Sequence, residues 1–229
     1  ALIAFAWLGA APVAAAQDLV AVAPELATVE HEDARVRVVR LHIPGHASLP
    51  LHDRPRRVVV SLTPNHVRLT RPDGTSSVTR TAAGAVAWSE PAVRTVANLG
   101  GPVENVVIEL KQATAAATPV ARPPAALPAD YLSDPWHRWA FENQYVRVYD
   151  VRIPPGTTTS FHRHAYDQVA VFVSGGRTSV QHAGKPWGAP VAVEPRRVSF
   201  SAHAAEPIVH RVRNDGAEEY RVIVVQFLR

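Results

Sequence analysis

The sequence predicts an all-β chain made of two jelly-roll-like units joined by a connector rich in alanine and proline. Three observations predict it. The first is period-two alternation, as in Arg35-Val36-Arg37-Val38-Val39-Arg40-Leu41 and Arg147-Val148-Tyr149-Asp150-Val151-Arg152-Ile153, which turns one face of an extended segment inward. The second is turn chemistry between such runs, at Pro72-Asp73-Gly74, Gly100-Gly101, Gly175-Gly176 and Asp215-Gly216, at intervals suited to an antiparallel sandwich or small barrel. The third is an internal repeat, which sets the number of units. Twenty prolines and 7% aromatic residues fit many short elements and argue against long helices.

Residues 1–16 are almost wholly apolar and end in Ala14-Ala15-Ala16 before Gln17-Asp18, the pattern of a secretory h-region with a small-residue cleavage site. No positively charged n-region and no methionine precede them, so they are expected to be part of a signal peptide. The run is short for a membrane span. Residues 29–111 form the first unit. Val36-Arg37-Val38 answers Val146-Arg147-Val148, Pro44-Gly45 answers Pro155-Gly156, and Val58-Val59-Val60 answers Val169-Ala170-Val171. Glu90-Pro91-Ala92-Val93-Arg94 then matches Glu206-Pro207-Ile208-Val209-His210, with Asn98 on Asn214 and Gly100 on Gly216. Residues 112–134 carry Pro119, Pro123, Pro124 and Pro128 among alanines, a semi-extended spacer. Residues 135–229 are the second unit.

Composition narrows the function. A hydrophobic fraction of 47% is ample for a buried core. Cysteine is absent, which excludes disulfides, thiolate metal sites and cysteine nucleophiles, so any metal must be held by nitrogen and oxygen. The net charge of +4 is spread over scattered arginines instead of a basic stripe, so nucleic acid is not an expected partner.

Three imidazoles stand at spacings that suit one metal ion. His162 and His164 are two residues apart, so on an extended strand they share a face, about 7 Å apart along it. His210 comes from a segment distant in sequence. Neutral imidazole suits Zn, Cu, Fe and Ni, and three such ligands leave positions for water or substrate. Gly156, five residues, His162-Arg163-His164, three residues, Gln168, six residues and Gly175 resembles the first motif of the cupin superfamily, G-x5-H-x-H-x3,4-E-x6-G. His210 followed by Asn214 resembles the end of its second motif, and through the repeat the whole chain is similar to a bicupin.

The resemblance implies two double-stranded β-helix barrels and one mononuclear site of His162, His164, Gln168 and His210. One divalent transition metal would sit there, Fe, Mn, Zn, Ni or Cu. Glutamine replaces the pattern's glutamate, and its neutral carbonyl oxygen is either a weak ligand or a wall amide that bonds a ligand or a histidine. Asp167 is one residue off and on a regular strand faces the other way. Before His210 the glycine and proline positions of the second motif read Ser199, Ala205 and Pro207. Asn214 is expected to support the site or a turn, and Tyr166 to line the pocket. Trp136-His137-Arg138-Trp139 is expected to anchor on the second unit. The remaining histidines, His31, His42, His46, His66, His137, His182 and His203, have no spacing partner and are expected at the surface, with His203 the nearest to the motif.

In the first unit the corresponding positions read Leu51-His52-Asp53-Arg54, then Arg57 or Val58, then Arg94. Arginine cannot ligate a metal at ordinary pH, so this unit is expected to be metal-free, serving as structural partner, dimerisation surface or lid. The expected function is that of an exported, periplasmic or secreted bicupin acting on a small molecule. By resemblance it is dioxygenase-like, oxidising an enol, catechol-like or keto-acid compound. The alternatives are a non-catalytic module binding a small molecule or metal, and a structural pair of units that also forms a homodimer. No membrane span is expected after leader removal, and no general acid or base is assigned.

Overall fold

The computed structural model describes residues 17–113, 115–119 and 134–228. The expected leader at 1–16 and most of the connector at 112–134 lie outside the described residues. After one short helix, α1 (Leu19–Val22), the first half carries β1 (Ala27–Glu32), β2 (Val36–Ile43), β3 (Ser48–Arg54), β4 (Arg57–Ser61), β5 (Asn65–Thr70), β6 (Ser76–Thr81), β7 (Val86–Ser89), β8 (Ala92–Asn98) and β9 (Val103–Leu110). The second half carries β10 (His137–Glu142), β11 (Val146–Ile153), β12 (His162–His164), β13 (Gln168–Phe172), β14 (Gly176–His182), β15 (Val191–Val193), β16 (Val198–Ser201), β17 (Ile208–Asn214) and β18 (Tyr220–Phe227).

Each half folds into a five-stranded and a four-stranded antiparallel sheet. The orders are β1-β2-β9-β4-β7 and β3-β8-β5-β6 in the first half, and β10-β11-β18-β13-β16 and β12-β17-β14-β15 in the second. Adding nine to every strand number converts one pair of sheets into the other, which is the sequence repeat expressed as topology.

Alternation along the central strands is used on both faces. On β2, Val39, Leu41 and Ile43 pack inside the first half, and on β11 Tyr149, Val151 and Ile153 do so in the second. The other face, Val36 and Val38 with Val58, Val60 and Ile108, joins Val146, Val148, Val169, Val171, Ile223 and Val225 in a single cluster. The two five-stranded sheets therefore face each other across a shared apolar layer. Ion pairs and hydrogen bonds rim it: Arg35 with Asp167, Arg196 Nη1 with Glu104 at 2.7 Å, Arg40 Nη2 to the Arg196 carbonyl at 2.6 Å, and Arg221 Nη2 to the Gly84 carbonyl at 2.7 Å. The His31 ring stacks on Phe200, 4.1 Å between centroids.

Asn98 and Asn214 do the same work in each half. The Asn214 amide donates to the Ile153 and Glu218 carbonyls while its Oδ1 accepts from the Gly216 N–H; Asn98 bonds the Ile43, Pro44 and Gly101 carbonyls and the Gly100 N–H. Asn214 is thus a turn residue. The loop after β2 corrects the sequence alignment by one position. Pro44 answers Pro154, because the Ala47 N–H donates to Pro44 as Thr157 does to Pro154. His46, at φ 62°, then occupies the left-handed position of Gly156, at φ 70°. Glycine takes that conformation without a Cβ clash, and histidine is among the residues that tolerate it.

Candidate metal centre

The three-residue strand β12 pairs with β17 so that His162 lies directly opposite His210. His164, two residues on, shares their face, as the period-two spacing requires. The ring centroids lie 4.7 Å (His162 to His210), 4.8 Å (His164 to His210) and 5.0 Å (His162 to His164) apart, and one ring nitrogen from each lies within 4.8 Å of the others. His162 and His164 are buried and His210 is half-buried.

The ring nitrogens are already sorted. His162 Nδ1 is 2.9 Å from the Ser160 carbonyl, an acceptor only, so that nitrogen carries the proton and Nε2 keeps its lone pair. His164 Nδ1 is 2.9 Å from Gln168 Oε1 and is fixed in the same way. Such a bond to the far nitrogen of a ligating histidine orients the ring and raises its basicity. All three imidazoles are held neutral. Burial, then repulsion from a neighbouring histidine, brings His162 to about 4, His164 to about 3 and His210 to about 2. Three neutral, converging imidazoles are a donor set that fits a divalent transition metal.

Gln168 is buried beside the cluster with its oxygen on His164, which is the wall-amide arrangement of the two read from sequence. Asp167 faces away, accepting from the Ala204 N–H and pairing with Arg35. Among the described residues no carboxylate joins the three histidines. Next to Gln168 in register lies Gln226, fully buried, with neither amide atom hydrogen-bonded. Tyr166 stands under the Arg147 guanidinium, 5.9 Å from its ring centroid.

The expectation that the other histidines lie at the surface is corrected at His137. Its ring is buried, edge-on to His162 with centroids 4.3 Å apart, because β10 turns the side chain of its first residue into the second half. His203 is half-buried, 5.6 Å from His164, and His182 is exposed, 5.9 Å from His210. Asp134 lies behind His137, with Oδ1 3.6 Å from Nδ1, and accepts from the Ser160 N–H. Burial would raise this carboxyl; His137 and the N–H groups of Ser160 and Trp136 hold it below its ordinary value. A line thus runs from Asp134 through Ser160 to His162. The repeat gave no signal for His137, since the equivalent residue in the first half is Ala27, and a bulge between Trp139 and Phe141 breaks the even spacing of this strand.

No family model and no curated protein matches the chain by sequence. Solved structures do match. AerE from Microcystis aeruginosa is 10% identical, with 89% of this chain covering 98% of that one at a TM-score of 0.58. Oxalate decarboxylase from Lactobacillus farciminis, as its formate complex, is 14% identical over 89% of this chain and 80% of that one, TM-score 0.55. Salicylate 1,2-dioxygenase from Pseudoaminobacter salicylatoxidans, as a point mutant, is 10% identical over 84% and 70%, TM-score 0.51. At these identities the likeness is one of fold.

Proposed function

The chain has the cupin fold, and on that premise we propose that its second half holds one divalent transition metal on His162, His164 and His210 and acts on a small, oxygen-rich organic molecule. The reading is carried by one observation: three neutral imidazoles converge while two of them have their Nδ1 protons committed elsewhere. A metal so held supplies Lewis-acid polarisation of a substrate oxygen and, if redox-active, a route for electrons.

The chain's own residues do the rest. Gln168 acts as the orienting acceptor for His164 and Ser160 as that for His162. The unpaired amide of Gln226 is a buried donor and acceptor able to fix a polar substrate, since leaving it unmet is costly. His137, packed on His162, closes one wall and keeps bulk water from that ring. The names of two structural neighbours, an oxalate decarboxylase and a salicylate dioxygenase, support a small carboxylic or enolic acid as substrate and dioxygenase-like oxidation as the reaction.

The segregation of strand pairing into residues 27–110 and 137–227 supports units at 29–111 and 135–229 with a connector at 112–134. Export rests on the apolar run 1–16, and no helix among the described residues is long and apolar enough to cross a membrane. A second reading, a non-catalytic binding module, is favoured by the neutral Gln168 where a carboxylate base would stand. Metal content and O2 consumption by tag-free protein on diketones, catechols and keto acids separate the two. Metal with turnover supports the enzyme, metal without turnover supports the module, and neither metal nor uptake removes the metalloenzyme.

A further inference from the structure

The first half keeps the positions of the metal centre but fills them with different chemistry. His52 lies opposite Arg94 as His162 lies opposite His210. Its Nδ1 is 2.8 Å from the Pro50 carbonyl, as His162 is on Ser160. Arg57 pairs with Glu109 and Ser89 where Gln168 pairs with Gln226 and Ser201. His162, His164, Gln168 and His210 are thus answered by His52, Arg54, Arg57 and Arg94. Three guanidinium groups stand where the second half has two imidazoles and an amide.

Two of these cations, Arg54 and Arg57, border a cavity of about 330 Å³ inside the first half. Leu41, Leu49, Val67 and Val107 give it apolar wall, while His52, Asn65, Thr79 and Asn105 are among its polar lining. Arg57, Val59 and Ser61 line it along β4, so it runs about 13 Å from the cationic end, at ~3.3 Å per strand residue. The charges there are under-compensated. Arg57 is 2% exposed, yet its Nε and Nη2 have no hydrogen-bond partner, and Arg94 Nε is buried and unpartnered as well. Glu109, the carboxylate at this end, is held by Arg37 at 2.6 Å and lies 3.6 Å from Arg57 Nη1, too far for a hydrogen bond. Three buried or half-buried cations near one carboxylate that already serves Arg37 leave guanidinium groups that another anion would complete.

We infer that the first half is a binding site for a small amphipathic organic anion, its carboxylate on Arg54 and Arg57, with the charge of Arg94 close by, and its apolar body along the cavity. The guanidinium fork suits a carboxylate in two-point contact. The crowding of like charge agrees: burial and then Arg94 lower Arg54 to about 10, and burial and then Arg54 lower Arg57 to about 9. Arg54 also lines a separate surface cleft with Asp18, Asp53 and Pro91. The inference is independent of metal binding in the second half.

Calorimetric titration of the full chain with octanoate and 3-phenylpropanoate tests it, with 3-phenylpropan-1-ol as the uncharged counterpart. The expected result is saturable 1:1 binding of at least one carboxylate, weaker binding of the alcohol by about tenfold or more, a comparable loss in the Arg54→Gln/Arg57→Gln double variant, and no change in His162→Ala/His210→Ala. Arg57→Gln removes an under-compensated buried cation, so its unliganded Tm should equal or exceed the wild-type value, which guards against misfolding as an explanation. Failure of both carboxylates to bind, equal affinity for the alcohol, or binding lost with the histidines instead of the arginines overturns the inference.

Discussion

His162 and His164 owe their suitability as ligands less to burial than to where their Nδ1 protons go. The Ser160 carbonyl and Gln168 Oε1 take them, so both rings present Nε2 lone pairs toward His210. Gln168→Ala should therefore weaken metal binding by roughly tenfold to a hundredfold, the usual effect of losing an orienting partner, whereas His210→Ala should remove stoichiometric binding. Gln168→Glu adds a negative charge at the same acceptor and should tighten binding, which competition against a metal chelator would read. The three histidines were legible in the sequence because period two and one distant partner suffice to bring them together. His137 was not, because its closeness to His162 depends on how β10 lies against the sheet carrying β12, which no local spacing encodes.

Turns hold the strands in register, and Asn214 is the clearest case. It is fully buried and satisfies two carbonyls and one N–H across β17, β11 and the loop before β18. Asn214→Ala should cost about 3 kcal/mol in urea denaturation, since several buried partners lose their bonds at once. Strand order was readable from the repeat, and the pairing of Asn98 with Asn214 anticipated the shared turn. The loop after β2 misled the alignment because His46 takes a left-handed conformation that the sequence suggested belonged to the neighbouring glycine. On β18, Ile223 packs in the layer between the halves, and Ile223→Ala should cost about 3 kcal/mol, the range for a truncated core isoleucine.

The packing of one half on the other was the part the sequence left least visible. Alternating arginines read as one polar strand face, but Arg40 and Arg221 cross to the opposite half while Val38 and Ile223, two residues along the same strands, fill the shared layer. Charge adds a pH dependence to this assembly. Burial would raise the Asp150 carboxyl, but its bonds to Arg221 and Arg152 outweigh that and hold it below 3.8. A carboxyl depressed on folding stabilises above its unfolded value and loses that contribution as pH falls through the folded one. Unfolding free energy should therefore decline as pH drops below about 4, and Asp150→Asn should flatten that decline when denaturation is followed across the range. In the first half Arg54, Arg57 and Arg94 occupy the positions equivalent to the ligands, so a single metal per chain is expected. Metal stoichiometry thus tests the whole arrangement most directly. Native mass spectrometry of tag-free protein, before and after incubation with Fe(II), Mn(II), Zn(II), Ni(II) and Cu(II), should find one metal ion per chain, absent from His162→Ala/His210→Ala. A wild-type chain that carries and takes up none, or a double variant that binds one as well as wild type, would contradict it.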